Sequence, residues 1–252
     1  MFRSPPARLA LIAGAALLFA APLAGQTSPE YDRYSLFWLA YFGDHAIAPR
    51  LALVGDAQMR WVGSVDNPQL FMVRAGVLAD VGPGVRAGGG YAYVESYDYG
   101  EFTPDGTVPE HRLWQQLNLS HRSNAVAFLH RFRLEERWLD LPSASDPDSR
   151  DWSFQWRGRY MLRTVVPLRG SPDQPGHWYA FGAEELFVRW GASQPTNLFD
   201  QNRLQLGVGT ALARSLKLEA NWLNLLVLRG DGSRREVGNG LVLSLIWNGS
   251  FR

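Results

Sequence analysis

The chain of 252 residues contains no cysteine, one lysine and four methionines. Without cysteine there is no disulfide, no thiol nucleophile, no cysteine-ligated metal and no lipid attached through an amino-terminal cysteine. After the first 26 residues no apolar run reaches the ~20 residues that a spanning helix needs, which excludes a bundle of such helices. A formal charge of +1 gives no argument for a nucleic-acid partner, and none is expected. Lys217 is the single lysine, so arginine carries nearly all the positive charge. Its planar guanidinium suits paired, partly buried networks better than an ammonium does.

The amino-terminal segment has a recognisable order. Arg3 and Arg8 precede an apolar run from Leu9 to Ala21, followed by Pro22-Leu23-Ala24-Gly25-Gln26. A short basic region, a short apolar region and small residues at a polar boundary make a cleaved signal peptide over residues 1–26. Gln26 stands where a lipoprotein box would need its cysteine. Residues 27–252 then form one domain, with no linker visible.

That domain reads as strands. From Asp151 to Leu168, every second residue (Trp152, Phe154, Trp156, Gly158, Tyr160, Leu162 and onward) is apolar, small or aromatic, while Arg157, Arg159 and Arg163 fall between them. Such alternation is a long strand with one greasy and one cationic face. Similar segments fall at 34–43, 50–62, 69–81, 85–98, 110–121, 125–139, 151–167, 177–190, 201–210, 216–228 and 239–247. The breaks at Val81–Gly84, His121–Asn124 and Ala211–Ser215 are tight; Tyr99–Pro109, Asp140–Arg150 and Arg229–Gly238 are long and polar. Short turns alternating with longer loops are the habit of a barrel with two unlike rims.

Alternation does not say which face points outward. Segments of this length suit tilted membrane strands, and about eleven of them enclose a lumen too wide for apolar side chains to fill. Trp138, Trp152, Trp178, Trp190 and Trp247 lie toward segment ends, where interfacial girdles sit. The fold class expected is therefore all-β: a single antiparallel transmembrane barrel of 10–12 strands in a bacterial outer membrane. Such barrels normally have an even strand count, so eleven segments imply one that is split, absent or hidden within Tyr31–Asp44. In Val126–Trp138 the outward set is Val126, Phe128, His130, Phe132, Leu134 and Trp138; a one-residue slip would drive arginines into lipid at roughly 2–4 kcal/mol each. The expected lumen network is Arg131, Arg133, Glu135, Arg137, Arg157, Arg159, Arg163 and Arg203, with Asp56, Gln58, Arg60, Gln205, Lys217, Glu219 and Asn221 facing the same way. Glu136 falls on the outward face, and adjacent Glu184 and Glu185 force one carboxylate outward unless a bulge intervenes.

Four pieces in order, Glu110-His111-Arg112-Leu113-Trp114, Arg131-Phe132-Arg133-Leu134-Glu135-Glu136-Arg137, Arg157-Gly158-Arg159-Tyr160 and Phe199-Asp200-Gln201-Asn202-Arg203, resemble a family of proteobacterial outer-membrane barrels catalogued only as a domain of unknown function. The resemblance covers essentially the whole mature chain and implies fold and location rather than an activity. It departs at the carboxy terminus, where Arg252 follows Phe251. More locally, His121-Arg122-Ser123-Asn124-Ala125 with Glu135 resembles the lipid A 3-O-deacylases, which are themselves outer-membrane barrels. That resemblance implies Ser123 as nucleophile, His121 as its base and Glu135 as the group orienting the base, because a hydroxyl at neutral pH needs a base of fixed tautomer. Against it, Ser123-Asn124 is natural tight-turn material, and Glu135 lies far along a continuous strand.

His45, His111, His121, His130 and His177 show no metal-ligand spacing, so no metal and no cofactor are expected. Gly88-Gly89-Gly90 lacks the lysine and helix of a phosphate loop and reads as a strand accepting close packing. The expected function is a non-enzymatic envelope barrel, structural or interacting, monomeric, with outer-membrane lipid around it and small solutes or envelope proteins as partners. Its arginine-rich lumen is either a closed polar core or a narrow anion-leaning pore. The alternative is a lipid-modifying hydrolase built on His121 and Ser123.

Overall fold

A computed structural model describes residues 29–143, 146, 149–191 and 197–251. The expected signal peptide, residues 1–26, lies outside the described residues. Eleven strands follow in order: β1 (Glu30–Ala48), β2 (Leu51–Val62), β3 (Pro68–Gly82), β4 (Val85–Ser96), β5 (Val108–Ser123), β6 (Val126–Pro142), β7 (Arg150–Pro167), β8 (Trp178–Trp190), β9 (Phe199–Ala213), β10 (Leu216–Leu228) and β11 (Arg234–Trp247). Each pairs with its sequence neighbours, and β1 pairs with β11, so the sheet closes on itself and leaves no edge strand.

The count is odd, and this departs from the even number expected. Ten of the eleven pairings are antiparallel; the closing one, β1 with β11, is parallel, running from Glu30 beside Arg234 to Gly43 beside Trp247. An odd number of up-and-down strands closes only this way, because the first and last then point in the same direction. Glu30 and the end of β11 consequently lie on opposite rims.

One rim carries the connections after β2, β4, β6, β8 and β10, including the expected long loops, together with the start of β1. The other carries the connections after β1, β3, β5, β7 and β9. Four of these are tight. In the β5–β6 turn, Ser123 pairs with Val126 and Asn124 takes φ 53°, the left-handed conformation that two-residue hairpin turns require. The exception is the ten-residue connection at 168–177, folded by its own backbone hydrogen bonds, including Gln174 to Ser171. At the same rim the carboxy-terminal tail turns back on β1. The Phe251 N–H donates to Ala46 O at 3.1 Å, and the Phe251 ring stacks on His45 at 4.4 Å.

Burial alternates along much of the wall, but in the opposite sense from a water-soluble barrel. On β6, Arg133, Glu135 and Arg137 are buried, while the alternating Phe132 and Leu134 are exposed. The same holds for Arg157 and Arg159 against the outward Trp156 and Tyr160 of β7. Outward apolar side chains recur from β1 to β11, among them Leu39, Val73, Leu117, Leu186, Leu206 and Leu241. Aromatic side chains gather toward both rims: Phe37 on Trp61 and Trp156 on Trp190 on the long-loop side, His121 on Phe128 on the other.

Candidate functional site: a charged lumen

The inward faces meet in a cavity of about 620 Å³ lined by twelve arginines and six carboxylates. Glu135, fully buried on β6 behind this lining, is the acid that the most arginines reach. Its Oε2 accepts from Arg157 Nε at 2.7 Å, and its Oε1 accepts from Arg159 Nη1 at 2.7 Å. Arg74 of β3 reaches across the lumen to 3.8 Å, and Arg133 approaches to 3.9 Å. Four guanidinium groups thus share one carboxylate, and the remaining acids distribute the rest. Glu185 takes Arg131 and Arg159, both at 2.8 Å. Glu110 accepts from Arg112 Nη2 at 2.7 Å and from Arg137 Nη2 at 2.9 Å. Asp200 faces Arg189 at 3.2 Å, and Glu219 holds Arg163 at 2.5 Å. Buried charges persist only when paired in this fashion, and several pairs join strands that are not neighbours.

The eight residues expected in the lumen are thus arranged as follows. Arg131, Arg133, Arg157 and Arg159 reach Glu135 or Glu185; Arg137 sits on Glu110 and Arg163 on Glu219. Arg203 has no carboxylate within 4 Å among the described residues and donates instead to Gln201 Oε1 at 2.9 Å. Arg74 and Arg189 are further members, legible in hindsight from their inward parity within Met72-Val73-Arg74 and Phe187-Val188-Arg189.

Aromatic rings fill the space between the charges. Phe187, fully buried, lies under Arg159 and Arg203, each guanidinium carbon 4.5 Å from its centroid. Trp38 carries Arg60 at 3.9 Å and Arg203 at 5.3 Å. Such stacking stabilises a desolvated cation by about 0.5–2 kcal/mol. Trp114 lies flat against the wall over Gly76 and Gly90, where a Cβ would come within 2.4 and 2.8 Å of its ring. The glycine run therefore serves close packing, which only a residue without Cβ allows here.

The long-loop mouth is capped from within. Tyr99, in the connection between β4 and β5, donates to Glu236 Oε2 of β11 at 2.9 Å; Tyr34 donates to the same oxygen at 2.8 Å, and Arg229 pairs with the other oxygen. The loop is thereby drawn over the β1–β11 seam, where Arg234 also stacks on Phe102 at 5.7 Å.

The hydrolase constellation does not assemble. His121 stands on the outer wall, stacked on Phe128 at 4.9 Å and His130 at 5.5 Å. Glu135 faces the lumen and is engaged by arginines. Ser123 pairs with Val126, nine residues from Glu135, or roughly 30 Å along the strand at ~3.3 Å per residue. Parity alone separates base and carboxylate by the thickness of the sheet. No bulge resolves Glu184 and Glu185 either: the β7–β8 register is continuous, Glu185 turns inward, and Glu184 faces outward, accepting from Asn202 Nδ2 at 3.1 Å. Outward Glu136 is likewise held, by Gln115 Nε2 at 3.1 Å.

The fold and site define a closed β-barrel with a charged, arginine-rich interior and an apolar exterior. The chain belongs to the family described as protein of unknown function (DUF2490), whose family model matches residues 36–236. No curated protein and no solved structure matches the chain.

Proposed function

We propose that the protein is a bacterial outer-membrane barrel without enzymatic activity, monomeric in lipid, that acts as a structural or interaction element of the envelope. The observation that carries this reading is the inverted polarity of the wall. In water, outward Leu117, Phe132, Leu134, Leu186 and Leu206 would form a continuous apolar surface far beyond the few hundred Å² a soluble monomer tolerates, while the buried charges would gain nothing from being inside. In a bilayer, both faces suit their surroundings. The aromatic side chains toward the two rims suit the interfacial zones. The side-chain bridges from Glu135 to Arg74 and from Arg203 to Trp38 cross the waist, which favours an occluded lumen. Recognition of small solutes or envelope proteins would then reside on the long-loop rim, since loops on a rigid barrel are where binding residues collect.

The excess of arginine over carboxylate in the lumen favours a second reading, a narrow anion-selective pore. Two experiments test the pair. Fractionation of cells expressing the full chain should place it with the outer membrane, with heat-modifiable gel mobility; recovery as a soluble periplasmic protein would contradict both readings. Refolded protein in a planar bilayer should give no discrete conductance steps if occluded, whereas anion-selective steps would favour the pore.

A further inference from the structure

We propose that the lumen contains a binding site for a small oxyanion, a phosphate or dicarboxylate, formed by Arg60 of β2 and Arg203 of β9 where both face the Trp38 ring. Every other arginine lining the cavity has an acid within 4 Å; these two do not, among the described residues. Arg60, only 6 % exposed, donates Nη2 to the neutral Gln58 Oε1 at 2.8 Å. Arg203 likewise donates to the neutral Gln201. The Nε of each is buried and unpartnered, and both side chains line the cavity.

Their surroundings deepen the positive field. Arg60 feels Arg203, Arg112 and Arg159 as like charges, and Asp56 as the opposing one. Asp56 is occupied by Arg74 at 3.2 Å and by Gln58 at 2.8 Å. The acid facing Arg203 is its cross-strand neighbour Glu185, already committed to Arg131 and Arg159. Two lumen cations, Arg60 buried and Arg203 half-buried, each with a buried unpartnered Nε and no acid within 4 Å among the described residues, constitute an anion site, because a guanidinium fork recognises carboxylate and phosphate by paired N–H donors. A cavity of about 620 Å³ admits a solute of that size and no large one. The inference goes beyond the envelope role, since it depends on the interior and not on what surrounds the barrel.

The test uses the refolded full chain in detergent micelles and calorimetric titration with inorganic phosphate and with succinate, against sodium chloride at equal ionic strength. One saturable site per barrel is expected for at least one of the two, weakened about tenfold or more in Arg60→Gln and in Arg203→Gln, and unchanged in Arg86→Gln on the rim. The preferred probe assigns the ligand class. Heat-modifiable mobility reports whether each variant folds. Independently of the variants, the bound anion should raise the urea midpoint of the wild-type chain above that in the chloride control. No saturable heat, binding in both variants as tight as in the wild type, or an unchanged wild-type midpoint would overturn the site. A protein found outside the membrane with this binding intact would fail the envelope role and leave the anion site standing.

Discussion

Arg159 Nη1 donates to Glu135 Oε1 at 2.7 Å, so the most buried acid of β6 is held by an arginine from the adjoining strand while Arg157 takes its other oxygen. Removing the acid leaves Arg133 with no carboxylate within 4 Å among the described residues, and leaves Arg157, Arg159 and Arg74 each dependent on one remaining acid, Asp200, Glu185 and Asp56 respectively. Loss of one partner from such a cluster costs about 3–5 kcal/mol. Glu135→Ala should therefore lower the urea midpoint markedly and raise the unfolded fraction in unheated gels. Glu135→Gln, which keeps shape and one acceptor, should fall between it and the wild type. An unchanged midpoint in Glu135→Ala would mean that the network does not hold the barrel together.

The Tyr99 tether makes a separate, pH-linked prediction. Desolvation in the barrel mouth, followed by the Glu236 carboxylate, pushes the Tyr99 phenol up to about 12. A raised folded-state value means that the neutral phenol is the one that stabilises the fold. Its contribution is complete below the unfolded value of ~10 and is lost as pH rises from there to about 12. Protease cleavage near Asp105–Gly106 should accelerate over that window in the wild type, and at neutral pH in Tyr99→Phe. A cleavage rate that is flat with pH and equal in the variant would detach Tyr99 from loop closure.

Glu184 is the central residue of β8 and faces outward. A carboxylate there is unfavourable in lipid and harmless in water. Glu184→Leu should raise the unfolding free energy in liposomes by up to about 2 kcal/mol. Stability unaltered or reduced in liposomes would argue that this face does not meet acyl chains.

The rims carry opposite expectations. A peptide tag inserted near Gly232 should be accessible to antibody on intact cells, and one at Asn124 should not, if the long-loop rim faces outward. Labelling of Asn124 alone would invert the barrel.

Much of this architecture was legible because alternation is a local signal. All eleven segments lie on strands, and the inward parity of Arg131 to Arg137 follows once arginine is priced against lipid. The limits of β1 and β11 were less so. Arg234-Arg235-Glu236 reads as polar loop, yet Glu236 is wholly buried beneath Tyr34 and Tyr99. The parallel closure was not legible at all, because a strand's pattern records which face is buried and nothing about the direction of its partner. The same limit applies to the site. The arginines could be assigned to the lumen, but Arg203 reaching Trp38, or Arg74 reaching Glu135, joins residues more than sixty positions apart. Only closure of the ring brings them together.

The chain's lack of cysteine permits the most direct measurement of its inverted wall. Single substitutions Phe132→Cys, Leu134→Cys and Gln205→Cys, each carrying a fluorophore, would be reconstituted in liposomes containing a lipid-phase quencher. Outward Phe132 and Leu134 positions should be strongly quenched and closed to membrane-impermeant thiol reagents, while the inward Gln205 position should escape quenching. Quenching at Gln205, or full aqueous reactivity at Phe132 and Leu134, would contradict a barrel that turns its charges inward and its apolar face to lipid.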